Sequence, residues 1–423
     1  MAGINYVEAV DEPGLSTKPG RIHTGLNSGY QAIGLAYLWG AARIILLGYD
    51  MQRGPGGESH HHGDHEGGLP NLGTMPEWTR RMVQLGIDLR ARGVEVVNAT
   101  RQTAITCFER LPIDKALIPG KPPLYLQGMH GLGDNLHERA IVRKLVQTHE
   151  VWLETPWPSV FHDLPVHLVP KATALRTQAK NAKREVGQYA HGKPPAVMPQ
   201  RIWYSHDQIR ATGSFLGAMA ANSVVKVVPA DFRLPIPDAW QEKAQEWLDK
   251  WQPGKPLMIY RPLVDRTEWA GCAQRNPDYA AYAQLAQIAR KGRFLVSVAD
   301  LEPRKEWMVG QDIGADAECH RGELDFETLA ALTAQARLVF CSPGFAIILA
   351  QAVETPLVAV FGGHESARLY DHGDPRCHWI QPITPCECFS KMHACRKQID
   401  MPRAERYLTE FLDAIADRQQ IAA

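Results

Sequence analysis

Ala336-Arg-Leu-Val-Phe-Cys-Ser-Pro-Gly-Phe-Ala-Ile-Ile-Leu-Ala-Gln-Ala-Val-Glu-Thr-Pro-Leu-Val-Ala-Val-Phe-Gly362 reads as strand, tight turn, helix and strand. Continuous apolar runs at 337–341 and 357–361 are the pattern of strands buried on both faces of a parallel sheet. Between them Ser342-Pro-Gly344 makes a sharp turn, and the apolar run 344–353 is long enough for a helix that returns the chain to the sheet. A strand–helix–strand crossover of this kind predicts an α/β protein.

The pattern continues on both sides. Strands are expected at 257–260 and 293–298, and helices at 278–291, 325–336 and 402–418. Upstream, Asp238 is placed to cap a helix running to Trp251. A second alternating block begins after the proline-rich stretch Leu111–Pro123. Its strands are expected at 122–127, 151–154, 167–169 and 201–204, with helices over 135–149 and 171–186. A third, shorter block carries a helix over 27–40, a strand over 43–48, a helix over 77–92 and a strand over 94–98. Three domains follow: a partial α/β domain over 1–118, an α/β half over 119–235 and a second half over 236–423.

The chain has 423 residues, 45% of them apolar, so each block can bury a core. Lys+Arg and Asp+Glu are equal at 46, which leaves no broad basic footprint for nucleic acid. No apolar run has the length of a membrane span. The N-terminus lacks the charge and apolar core of a signal peptide. Eight cysteines in this length do not make a disulfide scaffold. These features predict a cytoplasmic protein.

Two turns could carry chemistry. Gly131-Leu-Gly-Asp134 joins an expected strand to an expected helix, where glycine permits positive φ and close approach of a ligand. Asp134 is either a general base facing a cleft or a helix N-cap. Ser342-Pro343-Gly344 would offer a hydroxyl and free N–H groups to a diphosphate, or is a plain turn. Arg261 and Arg266, after the strand at 257–260, could clamp a diphosphate through paired donors. His130 and His137 flank the first turn.

Both turns carry a resemblance. The 336–362 stretch is similar to the nucleotide-sugar signature of glycosyltransferase family 9, the ADP-heptose:lipopolysaccharide heptosyltransferases. Gly131-Leu-Gly-Asp-Asn-Leu136 resembles that family's "GxGDxL" turn. The resemblance covers about 122–423. It implies a GT-B fold, with two Rossmann-like domains facing a cleft, and an inverting, metal-independent transfer of a heptose-like sugar from a nucleotide diphosphate to a hydroxyl. It implies no cofactor beyond that co-substrate, and an acceptor on a glycan or a peripherally contacted membrane glycolipid. Asp134 takes the place of the base. Ser342, Pro343 and Gly344 take the place of the donor-phosphate turn. Leu324 stands near the adenine, Arg261 and Arg266 at the diphosphate, and Glu302 near the ribose. Gly131, Gly133 and His130 belong to the acceptor-side turn. The chain departs from the family at Ser342, where an acidic residue is usual, and at Ile347, where a histidine is. The alternatives are a non-catalytic sugar-nucleotide or glycan-binding protein on the same fold, and a phage-type transferase acting on a modified nucleobase or surface glycan.

Residues 20–100 resemble a fragment of the MptE-like domain, which is similar to a pterin pyrophosphokinase and to sialyltransferases. Ser28-Gly29 would there be a phosphate site, with Asp50 at the end of the next strand. Two runs carry metal-ligating side chains. In Ser59-His-His-His-Gly-Asp-His65 they are crowded into a glycine-rich loop. Cys386, Cys388, His393 and Cys395 could supply four ligands, although Cys-x-Cys is tighter than a zinc knuckle. No metal is expected at either; free thiols and a solvated loop are the default.

Overall fold

The computed structural model describes residues 6–54, 56–57, 75–117, 121–185, 187–189, 192–267, 274–390 and 392–421. The histidine-rich run 59–65 lies outside them. The chain forms two compact units, Met1–Gly120 and Lys121–Ala423.

The first unit contains β1 (Glu8–Val10), β2 (Arg21–His23), α1 (Ser28–Leu38), β3 (Arg43–Leu46), α2 (Met75–Ala91), β4 (Glu95–Asn98), β5 (Glu109–Arg110) and α3 (Ile113–Ala116). Two small parallel sheets, β1-β2 and β3-β4-β5, result. Ile33, Leu46, Met82, Leu85, Leu89 and Ile105 are the centre of their core. Asn27 caps α1, its Oδ1 accepting from the Tyr30 N–H at 2.8 Å, and the Tyr49 hydroxyl donates to the Gly29 carbonyl at 3.1 Å. Asn27 thus already accepts from a first-turn donor of the helix that Ser28-Gly29 was expected to offer to a phosphate.

The second unit opens with β6 (Pro123–Gln127), α4 (Leu132–Leu145), β7 (Glu150–Thr155), β8 (Val166–Pro170), α5 (Arg176–Glu185), β9 (Gln200–Arg201), α6 (His206–Thr212) and α7 (Phe215–Asn222). Its four strands are parallel in the order β8-β7-β6-β9. After α8 (Asp238–Trp251) come β10 (Leu257–Tyr260), β11 (Val264–Arg266), α9 (Tyr279–Arg290), β12 (Phe294–Val298), β13 (Glu306–Met308), β14 (Ala317–Cys319), α10 (Phe326–Gln335), β15 (Leu338–Cys341), α11 (Phe345–Ala352), β16 (Leu357–Val360), β17 (Cys377–Ile380) and α12 (Met401–Ile421). Six of these strands form an all-parallel sheet in the order β14-β12-β10-β15-β16-β17. Numbered within the sheet, that is the 3-2-1-4-5-6 order of a Rossmann fold. β11 and β13 pair antiparallel outside it.

The expected α/β architecture with parallel sheets is therefore present. β10, β15 and β16 are buried along their whole length because helices cover both faces of the sheet. α9 and α12 cover one face through Leu285, Leu408 and Leu412. On the other, α11 is buried almost all round, and one core runs through it from the six-stranded sheet to α4 and the four-stranded sheet.

Four expectations are corrected. Asp134 is not an N-cap: α4 begins at Leu132, the cap position is Gly131, and Asp134 lies inside the first turn. Asp238 is likewise the first helical residue, after Pro237. Gly131 has φ −69° and ψ 142°, an ordinary extended conformation, so positive φ is not its reason. Its reason is space, since a Cβ there would stand 2.5 Å from the Asp134 carboxylate. Gly133 has a different one: a Cβ would stand 2.8 Å from Ile348 Cδ1 and 3.3 Å from Phe345 Cα, so glycine lets α4 sit down on α11. The expected strand 201–204 is only Gln200–Arg201, which frees Trp203 and Tyr204 to turn away from the sheet.

Candidate functional site

In each sheet the strand order reverses at the first strand, beside β9 in one and β15 in the other. Ligands of open α/β sheets bind beyond the carboxyl ends of the strands at such switch points. The turn after β6 is Gly131–Asp134, Arg261 follows β10, and Ser342–Gly344 follows β15. All of them line one cavity of about 500 Å³, together with Arg266 and Leu324. An adjoining cavity of about 540 Å³ also reaches Asp134 and includes His130, Lys171 and Arg201.

Asp134 is the one carboxylate on the glycine-bearing turn. Burial raises its carboxyl to about 6, against the opposing effects of a hydrogen bond from Tyr204 and the charge of Arg275. The Tyr204 hydroxyl donates to Asp134 Oδ1 at 2.8 Å. A carboxylate with this proton affinity at a cavity wall is matched to general-base work near neutral pH. One turn further along α4, Glu138 is fully buried and pushed up to about 8 by burial. Its partner is the Met129 N–H. His137 is held neutral by burial, down to about 3, beside Phe232 and His372.

Arg261 lies at the floor of the cavity. Its Nη1 donates to the Val298 carbonyl at 2.7 Å, and its guanidinium stands 5.1 Å from the Phe345 ring centroid. Burial lowers its pKa to about 10, which leaves it charged. Gly344, with φ +153° and ψ −166°, caps α11 without a side-chain hydrogen bond. That backbone region is essentially open to glycine alone, and it starts α11 at Phe345, whose ring faces Arg261. Ser342 and Pro343 complete the rim. Arg266 is paired with Glu306 at 2.7 Å.

Glu302 stands outside both cavity linings, bound to Arg176 at 3.0 Å and to Lys305 at 2.8 Å. Asp300 lines the cavity instead. It accepts from Arg176 at 3.0 Å and Thr177 at 2.9 Å, and Lys180 lies at 3.2 Å. Arg176 also pairs with Glu306 at 2.9 Å. Through these contacts α5 of the four-stranded half is tied to the 300–306 segment of the six-stranded half.

Four residues that sequence reasoning missed complete the wall: Tyr204, Arg275, Glu365 and Tyr370. Arg275 donates from Nε to Glu365, and the Tyr370 hydroxyl donates to the other Glu365 oxygen at 2.6 Å. No local pattern marks them, because they are brought together from three segments.

Beside this wall lie Cys386, Cys388, His393 and Cys395, whose thiols the sequence alone predicts to be free. Cys386 Sγ is 3.5 Å from His393 Nδ1, which is 3.3 Å from Cys395 Sγ, and Cys395 Sγ is 3.6 Å from Cys388 Sγ. All four ligand atoms lie within 4.8 Å of one another, so the cluster has the composition and spacing to hold a metal ion. Cys377, by contrast, faces Gln351.

No protein-family model matches this chain, and no curated protein sequence does. Among solved structures it is similar to ADP-heptose lipopolysaccharide heptosyltransferase II of Escherichia coli, with 15% identity over 70% of this chain and 99% of that one, TM-score 0.44. A glycosyltransferase family 9 protein of Veillonella parvula matches with 12% identity over 71% and 98%, TM-score 0.47. The iron-containing heptosyltransferase TibC of E. coli, in complex with ADP-D-β-D-heptose, matches with 12% identity over 71% and 77%, TM-score 0.43. No helix among the described residues is long and apolar enough to cross a membrane.

Proposed function

We propose that the second unit is an inverting glycosyltransferase that moves a sugar from a nucleoside diphosphate to a hydroxyl acceptor. The observation that carries this reading is the meeting, across one cavity, of a half-buried carboxylate raised to about 6 with a half-buried arginine and a helix start that has no side-chain cap.

Asp134 takes the proton of the acceptor hydroxyl as its oxygen bonds to the anomeric carbon. The bond from that carbon to the diphosphate breaks on the opposite face, and the nucleoside diphosphate leaves with the electron pair. Arg261, the first amides of α11 and the Ser342 hydroxyl receive the charge that develops on the departing phosphate. Arg266 and Asp300 lie at the sugar-facing rim, and Leu324 packs on the base. None of these steps requires a metal ion. The adjoining cavity beside His130, Lys171 and Arg201 takes the acceptor.

The test is calorimetric binding of ADP-, UDP- and GDP-sugars together with product formation against a panel of hydroxyl acceptors. Asp134→Asn should keep donor binding and lose turnover, whereas Arg261→Ala should lose donor binding. A chain that binds a sugar nucleotide tightly but shows no turnover that depends on Asp134 would instead be a binding protein on this fold.

A further inference from the structure

The cluster of Cys386, Cys388, His393 and Cys395 has a geometry that protonated thiols do not require. A tetrahedral zinc-type ion with metal–sulfur bonds of about 2.3 Å sets its sulfurs about 3.8 Å apart, and sulfur to imidazole nitrogen slightly less. The contacts of 3.6 Å between Cys388 and Cys395, 3.5 Å between Cys386 and His393 and 3.3 Å between His393 and Cys395 fall near those edges. A disulfide needs its sulfurs near 2.05 Å, and all three cysteines are free. The Ser390 N–H points at Cys388 Sγ at 3.5 Å, the kind of outer donor that supports a metal-bound thiolate. Four protein ligands leave no open position, so such an ion would be structural.

What the cluster fastens is the cleft wall. Cys395 packs against the backbone of Gly363 so closely that a Cβ there would stand 2.0 Å from the cysteine Cβ. Phe389, one residue after a ligand, donates its N–H to the His364 carbonyl at 3.1 Å. Its ring stacks on His206 with centroids 4.6 Å apart, and both rings line the cavity. Glu387, between two ligands, accepts from Ser366 and, at 3.1 Å, from Arg368. The segment held from this side is Gly363–Ser366, and it carries Glu365, the partner of Arg275. From the other side the Gly363 N–H donates to the Gln274 carbonyl at 2.8 Å.

We propose that Cys386, Cys388, His393 and Cys395 hold one thiolate-preferring transition-metal ion, zinc or iron, and that this ion is the clasp keeping residues 361–366, Glu365 and Phe389 in place at the cleft wall. The ion takes no part in bond making. It replaces apolar packing in a stretch, 381–398, that lacks helix and strand among its described residues.

The experiment starts with the full chain purified without chelator. Metal analysis by mass spectrometry should find close to one zinc or one iron per chain, and the absorption spectrum separates the two, since ferric thiolate is coloured and zinc is not. Hydrogen–deuterium exchange is then compared before and after removal of the metal by a chelator. Peptides covering 361–370 and 383–398 should lose protection, while those covering the sheet 123–170 should not. Cys395→Ser should drop the metal content several-fold, and His393→Cys should keep it. A chain that carries no metal after expression in zinc- and iron-supplemented medium overturns the site, as does a Cys388–Cys395 disulfide found by peptide mapping. A metal whose removal leaves 361–370 fully protected overturns the clasp. None of these readouts depends on glycosyl transfer, so they stand or fall apart from the proposed activity.

Discussion

Replacing Asp134 by asparagine should stabilise the protein above pH 6 while it abolishes transfer. Folding raises this carboxyl to about 6 from an ordinary value near 3.9. The folded chain therefore keeps a proton that the unfolded chain releases between about pH 4 and pH 6. Stability falls as pH rises through that window and stays reduced above it. Two pKa units at about 1.4 kcal/mol each amount to roughly 3 kcal/mol. Because Asp134 borders a water-accessible cavity, about 2 kcal/mol is the working figure. Asparagine has nearly the same shape, keeps an oxygen to accept from Tyr204, and carries no charge to desolvate. Thermal unfolding of wild type and Asp134→Asn at pH 4 and pH 7.5 reads the difference. The variant should match wild type at pH 4 and melt a few degrees higher at pH 7.5. If instead it melts lower at pH 7.5, the carboxylate is stabilised rather than strained by its surroundings, and the argument for a tuned base fails.

Further predictions concern the surroundings of this carboxylate. Tyr204→Phe removes a charge-assisted hydrogen bond that holds the Asp134 pKa down, so the acid limb of the pH–rate profile should move up from about 6 by roughly one unit; an unchanged limb argues that another group sets it. Arg261→Ala should weaken sugar-nucleotide binding by roughly 2 kcal/mol, about thirtyfold, in calorimetry, and Arg261→Lys should recover little of it because lysine lacks the fork of donors. Gly133→Ala drives a methyl into Ile348 and the Phe345 backbone and should cost about 1–3 kcal/mol in denaturant unfolding. Arg176→Ala breaks contacts to Asp300, Glu302 and Glu306 at once; it should raise hydrogen exchange in both α5 and 300–306, with the excess over wild type shrinking at high salt.

The sheets were legible because buried parallel strands must be apolar throughout, and runs such as Leu-Val-Phe-Cys (338–341) and Leu-Val-Ala-Val (357–360) can be little else. β14 and β17 escaped because Ala-Glu-Cys and Cys-His-Trp-Ile are too short and too polar to stand out, and only pairing with a neighbour makes them strands. Gly131, Gly133 and Asp134 could be singled out, but the reason for each glycine could not, since it lies in an aspartate three residues away and in a helix two hundred residues on. The Cys/His ligands were visible one by one within 386–395. Their unusual spacing concealed the arrangement, because convergence of side chains depends on how the loop closes and not on intervals along it. Tyr204, Arg275, Glu365 and Tyr370 carried no sequence signal.

These last residues decide what Asp134 can do. On α4 alone, at the exposed end of a sheet, its carboxyl would meet water and titrate in the usual range. It is raised because α4 sits on α11 and because the wall formed by Arg275, Glu365 and Tyr370 of the six-stranded half limits its contact with solvent. Arg275 alone would pull the proton affinity back down, but its charge is shared with Glu365, which acts on Asp134 in the opposite sense. The charges of the pair therefore act on the Asp134 carboxyl in opposite directions. Were the halves parted, water would reach Asp134 and its affinity for a proton would fall, because desolvation is the main reason that it is raised. Arg176, Thr177 and Lys180 tie α5 to Asp300, so breaking these contacts should lower the proton affinity of Asp134 without touching it.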